Sequence, residues 1–172
     1  DQLPTSLEYM LMWNGLGLAG EAGEVAELFR QHTPISITLL TKELGDLLWY
    51  VGACCSKLGV TMQLALDTSR RDQPILFPDR DTTNDLVLHL VAASGSVSDM
   101  LKKQICHRHG LNVGTLAQQL GQQACVHAAP WPARLRRLLR PLALLWRGFS
   151  SPEQPHRTPL RHQRWLALRC RY

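Results

Sequence analysis

The stretch that decides the fold is GLGLAGEAGEVAELF, residues 15–29, answered by KELGDLLWYVGA at residues 42–53. Each carries two acids three residues apart: Glu21 with Glu24, and Glu43 with Asp46. On an α-helix that spacing puts both side chains on one face, about 5–6 Å apart at Cβ. The flanking residues, among them Leu18, Val25, Leu28, Leu44, Leu47, Leu48 and Val51, leave little polar face on either helix. Two such helices side by side aim four carboxylates at one spot, which like charges tolerate only with a compensating cation. Hard oxygen donors suit Mg²⁺, with Mn²⁺ as the alternative. The bland alternative is a pair of solvated acidic helix faces.

The wording of these two stretches, Glu-x-x-Glu followed about twenty residues later by Glu-x-x-Asp, resembles the MazG family of nucleoside triphosphate pyrophosphohydrolases. The resemblance is specific over residues 10–60, partial over 84–123 and very weak beyond. It implies an all-α fold, an antiparallel helical bundle of MazG type. It also implies hydrolysis of an NTP or dNTP to the monophosphate and pyrophosphate. Single-copy relatives self-associate, so a homodimer stays open.

The chemistry needs these groups for a physical reason. A triphosphate brings about four negative charges, and bare carboxylates repel it. A divalent ion held by Glu21, Glu24, Glu43 and Asp46 reverses the local sign, bridges phosphate oxygens and acidifies a bound water. Glu21 or Glu24 is then the candidate general base. Lys42, Arg70 and Arg71 are the candidates for the remaining phosphate charge. The resemblance implies an Asn and Lys motif after the second acidic helix, and LALDTSRRDQP lacks it. Trp13 is the candidate for stacking on a base and Asn14 for reading its edge, while Trp49 and Tyr50 are read as core packing. Glu27 is read as an ordinary exposed acid. GLGLAG matches a dinucleotide-type string, but no strand precedes it. Cys106, His107, His109, Cys125 and His127 match no zinc spacing.

Along the chain, Thr5 or Ser6 caps a first helix, expected over Ser6–Asn14. Gly15 and Gly17 are expected to break it before a second helix, Leu18–Gln31. A third helix starts near Ser36 or Thr38 and runs to Lys57, with Gly59 as the left-handed cap. Thr61 caps a short fourth helix over 62–70. The expected organisation is a helical unit at 1–70, a linker at 71–83, a degenerate second unit at 84–123 and an Arg/Pro-rich tail at 124–172.

The second unit rests on an internal repeat of roughly 72–76 residues. LHLVAASGSVSDMLKK (88–103) lines up with the first acidic stretch, with Gly95 under Gly23 and Val97 under Val25. AQQLGQQACV (117–126) lines up with the second, with Leu120–Gly121 under Leu44–Gly45. Every carboxylate of interest is gone: Ala93 stands for Glu21, Ser96 for Glu24, Gln119 for Glu43 and Gln122 for Asp46. The expected role of this copy is to pack on the first as a second subunit would.

Charge divides the chain in the same way. Residues 1–121 hold thirteen acids against nine Lys or Arg. Residues 122–172 hold ten Arg and a single acid, Glu153, and so account for the net charge of +5. Three readings of the tail compete: a basic arm, a divergent helix with a disordered end, and an out-of-frame translation. GFSS at 148–151 is similar to the way some family members end. With 45% apolar residues a core is within reach. No apolar run is long enough for a membrane span, and DQLPTSLEY has no signal-peptide character. Five cysteines, two of them adjacent at 54 and 55, suit reduced thiols in a cytoplasmic protein. The leading expectation is a Mg²⁺-dependent nucleotide pyrophosphohydrolase of the cytoplasm, with no membrane or nucleic-acid partner. The rivals are a non-catalytic helical scaffold with a vestigial site and, more weakly, a basic-tail nucleic-acid binder.

Overall fold

The computed structural model describes residues 4–31, 34–72 and 82–128. Among them every regular element is helical: α1 Ser6–Arg30, α2 Ile37–Leu58, α3 Met62–Asp72, α4 Thr82–His107 and α5 Val113–Ala128. The central residues of the expected linker and the tail from residue 129 onward lie outside the described residues.

Local sequence sets most helix ends. Thr5 and Glu8 form a reciprocal capping box, Glu8 N–H donating to Thr5 Oγ1 at 3.2 Å and Thr5 N–H to Glu8 Oε2 at 2.7 Å. Such a cap stabilises a helix by about 1 kcal/mol. Ser36 caps α2 through Leu39 N–H, Thr61 accepts from Leu64 N–H as α3 begins, and Asn112 accepts from Thr115 N–H as α5 begins. Gly59 closes α2 with φ of 70°, the left-handed conformation in which glycine has no Cβ to clash.

The expected break at Gly15 and Gly17 does not occur; α1 runs unbroken from Ser6 to Arg30. These glycines serve packing instead. A Cβ on Gly15 would overlap the Leu101 side chain of α4, and one on Gly17 would overlap the Tyr50 ring of α2. The neighbours on both sides recover the helix propensity that two glycines forfeit.

Short connections fold α1 back on α2 and α4 back on α5. Helix α1 lies between α2 and α4, and α5 touches α2, α3 and α4. The α1–α4 pair is antiparallel: Gly15 meets Ser98 and Leu101, while Glu8 at the start of α1 pairs with Arg108 beyond the end of α4. One core, centred on Leu18, Leu44, Leu47, Leu90 and Leu120, joins α1, α2, α4 and α5. At roughly 1.5–3 kcal/mol per buried aliphatic side chain, that core is the main force holding the bundle. None of the described helices is long and apolar enough to cross a membrane. Cys54, Cys55 and Cys125 are buried free thiols and Cys106 is an exposed one.

Candidate metal centre

The antiparallel α1–α2 hairpin brings three of the sequence's four acids together. Carboxylate oxygens of Glu21, Glu43 and Asp46 all lie within 4.8 Å of one another. Glu43 and Asp46 are buried, at 6% and 7% exposure, and Glu21 is half-buried. Glu43 and Asp46 face α1 because they share one side of α2 with the core residues Leu40 and Leu47. Glu21 stands next to the buried Ala22 and Leu18 on α1.

Glu24 does not join the three. It is exposed, one turn further along α1, at the rim of the group. Two acids three residues apart share a helix face but differ in depth once the helix is packed, and the neighbouring helix covers Glu21 rather than Glu24. Glu24 is still near enough for its charge to act on Glu21.

The electrostatics are those of an underneutralised acidic pocket. Burial, then the charges of Asp46, Glu24 and Glu43, push the Glu21 carboxyl up to about 7 against an ordinary 4.5. Glu21 Oε2 is buried and accepts no hydrogen bond. The positive charge inside the group belongs to Lys42. Its Nζ donates to Glu43 Oε2 at 2.6 Å and sits 3.3 Å from Asp46 Oδ2. Burial opposes the ammonium charge, but the bond to Glu43 and the pairing with Asp46 outweigh it and raise the Lys42 pKa. Lys42, the candidate phosphate ligand, thus pairs with the acids in this structure. The signal for this was its i,i+4 spacing from Asp46.

The layer beneath the acids is aromatic. Tyr50, one turn after Asp46, lays its ring against Gly17, one turn before Glu21, and meets Trp49 edge-on at 5.0 Å between centroids. Trp13 is 57% exposed on α1, two turns before Glu21, and packs edge-on against Tyr9. Asn14 is buried, its Nδ2 donating to the Met10 carbonyl at 2.8 Å. Glu27 is tied to Arg30 by two short bonds and to Gln31 by a third, which hold its carboxyl down at about 2. Arg70 lies on α3 beside the Cys125 thiol of α5, and the Arg71 side chain falls outside the described residues.

Residues 13–71 match the model of the MazG nucleotide pyrophosphohydrolase domain. Over those residues the chain is similar to the MazG domain. The matched span contains the whole acidic group, Lys42, Trp13 and Asn14, and it ends one residue before the end of α3. No curated protein and no solved structure matches the chain.

The donors fit a hard divalent cation. All three are carboxylate oxygens from two rigid helices, two of the acids are buried, and one buried oxygen has no hydrogen-bond partner. Mg²⁺ or Mn²⁺ accepts such a set, whereas softer metals favour sulfur or imidazole. Among the described residues no His or Cys contributes to a comparable cluster.

Proposed function

We propose that this chain is a Mg²⁺-dependent nucleotide pyrophosphohydrolase that converts an NTP or dNTP to the monophosphate and pyrophosphate. The observation that carries the reading is the convergence of Glu21, Glu43 and Asp46 inside the span that matches the MazG domain. These three residues hold the divalent ion, with Glu24 at the rim. The bound ion supplies positive charge to the triphosphate and acidifies a coordinated water. Glu24 suits the role of general base better than Glu21: it is exposed, and it lies one helical turn from the ion-binding group. Trp13 offers an exposed face to a base, and Asn14 lines α1 next to it. Lys42, with Arg70 and Arg71, is the proposed source of phosphate charge. The setting in this reading is nucleotide-pool house-cleaning in the cytoplasm.

The same proposal assigns α4–α5 as a second copy of α1–α2 that has lost the carboxylates. Burial recurs in phase between the two halves, which supports it. Leu18, Ala22 and Val25 are buried on α1, as are Leu90, Ser94 and Val97 on α4. Leu40, Leu44 and Gly45 are buried on α2, as are Leu116, Leu120 and Gly121 on α5. Where the first copy has the apolar pair Ala22 and Leu47, the second has Ser94 and Gln123. Gln123 Nε2 donates to Ser94 Oγ at 2.6 Å and to the Leu90 carbonyl at 3.1 Å. In this assignment α4–α5 covers α1–α2 as a partner subunit would, and a homodimer is not needed to close the bundle.

One observation favours the scaffold reading instead: Arg70 is placed against α5, not against the acids. The deciding experiment is pyrophosphate release from a panel of NTPs and dNTPs, with Mg²⁺ and with EDTA, for wild type and Glu24→Ala. Mg²⁺-dependent release that the variant loses is the expected result. Absence of release from helical wild-type protein with every nucleotide would leave the scaffold.

A further inference from the structure

The acidic group already contains a cation of its own, and its position has a consequence for binding. The Lys42 ammonium makes a 2.6 Å bond to Glu43 and approaches Asp46 at 3.3 Å, so it is paired with two of the three carboxylates that a divalent ion needs. Both acids are buried, so the pairing is only weakly screened by solvent or salt. Lys42 itself is only partly covered, with its side chain 31% exposed. Its stem therefore has a route outward, and four rotatable methylenes allow the head to travel.

We infer that Lys42 is a displaceable internal counter-ion: it neutralises Glu43 and Asp46 until a divalent cation binds, and the cation then expels its ammonium toward the phosphates of the nucleotide. This rests on the metal reading of the site proposed above. A lysine and a divalent ion on one pair of carboxylates repel each other, so the more highly charged and more directly coordinated ion prevails. The expelled ammonium stays within a side chain's length of the metal, where the triphosphate oxygens collect, and supplies three donors there. One residue thereby lowers affinity for the bare metal and raises affinity for the metal–phosphate complex. By linkage, phosphate binding that holds Lys42 outside the group tightens metal binding by the same factor. The pocket then discriminates in favour of a metal ion that arrives with, or is followed by, a polyphosphate.

The test uses the full chain and two probes without turnover: Mn²⁺ alone by calorimetry, and inorganic tripolyphosphate added to Mn²⁺-saturated protein. The variants are Lys42→Met, Lys42→Arg and, as a distant charge control on α4, Lys102→Met. Lys42→Met is expected to bind Mn²⁺ about tenfold more tightly and tripolyphosphate about tenfold more weakly, a pair of opposite changes of ordinary coupling size. Lys42→Arg should keep both properties near wild type, and Lys102→Met should change neither. Unchanged or weakened Mn²⁺ binding by folded Lys42→Met overturns the inference while leaving the metal site standing. Tighter Mn²⁺ with unchanged tripolyphosphate overturns the second half of it, the delivery to phosphate. Absence of Mn²⁺ binding by every protein, wild type included, removes the metal reading and this inference with it.

Discussion

The ring of Tyr50 rests directly on the backbone of Gly17, so that a Cβ on Gly17 would overlap ring atoms Cε1 and Cζ. The contact joins α1 to α2 one turn away from both Glu21 and Asp46, and so sets how closely the acid-bearing faces approach.

Gly17→Ala should therefore act on the site as well as on the fold. The ring has to swing or the helices have to part, an overpacking penalty of about 1–3 kcal/mol that alanine's better helix propensity offsets by about 1 kcal/mol. Mn²⁺ affinity should fall alongside the urea midpoint, because separating the helices spreads the carboxylates. Tyr50→Ala combined with Gly17→Ala should recover part of the loss that Gly17→Ala causes by itself, and a double-mutant cycle on the urea midpoints measures that coupling.

In EDTA, stability should fall as pH rises from about 4.5 to about 7. Glu21 titrates at about 7 in the folded protein against 4.5 as an ordinary carboxyl, so the folded state binds more protons in that window. The penalty is absent below the window and complete above it. Because Glu21 is only half-buried, the shift corresponds to about 1–2 kcal/mol after allowance for solvent screening. Glu21→Gln should flatten the dependence. Urea midpoints at pH 5 and pH 8 for the two proteins test this, and a wild type that gains stability across the window contradicts it.

If the proposed metal site is right, Mg²⁺ or Mn²⁺ raises the melting temperature of the wild type, and Glu43→Gln and Asp46→Asn should each abolish that rise. A ligand stabilises only in proportion to its affinity for the folded state, and either change removes a buried carboxylate of the proposed site. Thermal melts with and without the ion read this directly.

Gly121 and Gly95 should respond in opposite directions to alanine. A Cβ on Gly121 would run into the carbonyl of Ala65 and Ser69 Cβ, where α3 crosses α5. Backbone cannot yield as a side chain does, so Gly121→Ala should destabilise by about 3 kcal/mol. Gly95 faces open space inside α4, and Gly95→Ala should stabilise by about 0.5–1 kcal/mol through helix propensity. Denaturant unfolding of the two variants provides the comparison.

Burial pushes the Cys54 and Cys55 thiols up to about 12. Both should remain protonated and unreactive toward a thiol reagent at pH 8 in the folded protein, while the exposed Cys106 reacts. Peptide mapping by mass spectrometry assigns the modified positions. In urea Cys54 and Cys55 should react as well, once the helix that covers them is gone.

Much of this protein was legible along the chain because the relevant signals are local. Thr5, Ser36, Thr61 and Gly59 mark helix ends through contacts within four residues. The i,i+3 acids and the apolar residues around them identify α1 and α2 as the helices that carry the site. The expected break at Gly15 and Gly17 failed because a glycine's role depends on what lies across from it. Leu101 is more than eighty residues away in sequence, and no local rule could have named it as the neighbour of Gly15.

What the sequence alone determined is the helical class, the helix caps, the identity of the acids and the MazG resemblance, since these follow from spacing and side-chain chemistry. What only the tertiary structure decided is depth and partnership. Packing buried Glu43 and Asp46, half-covered Glu21 and left Glu24 at the rim. It set Lys42 among the acids rather than beside them, turned Arg70 toward α5 and laid Tyr50 against Gly17. Each of these depends on the distance and dielectric between helices, and those quantities exist only once α1, α2, α4 and α5 have closed around one core.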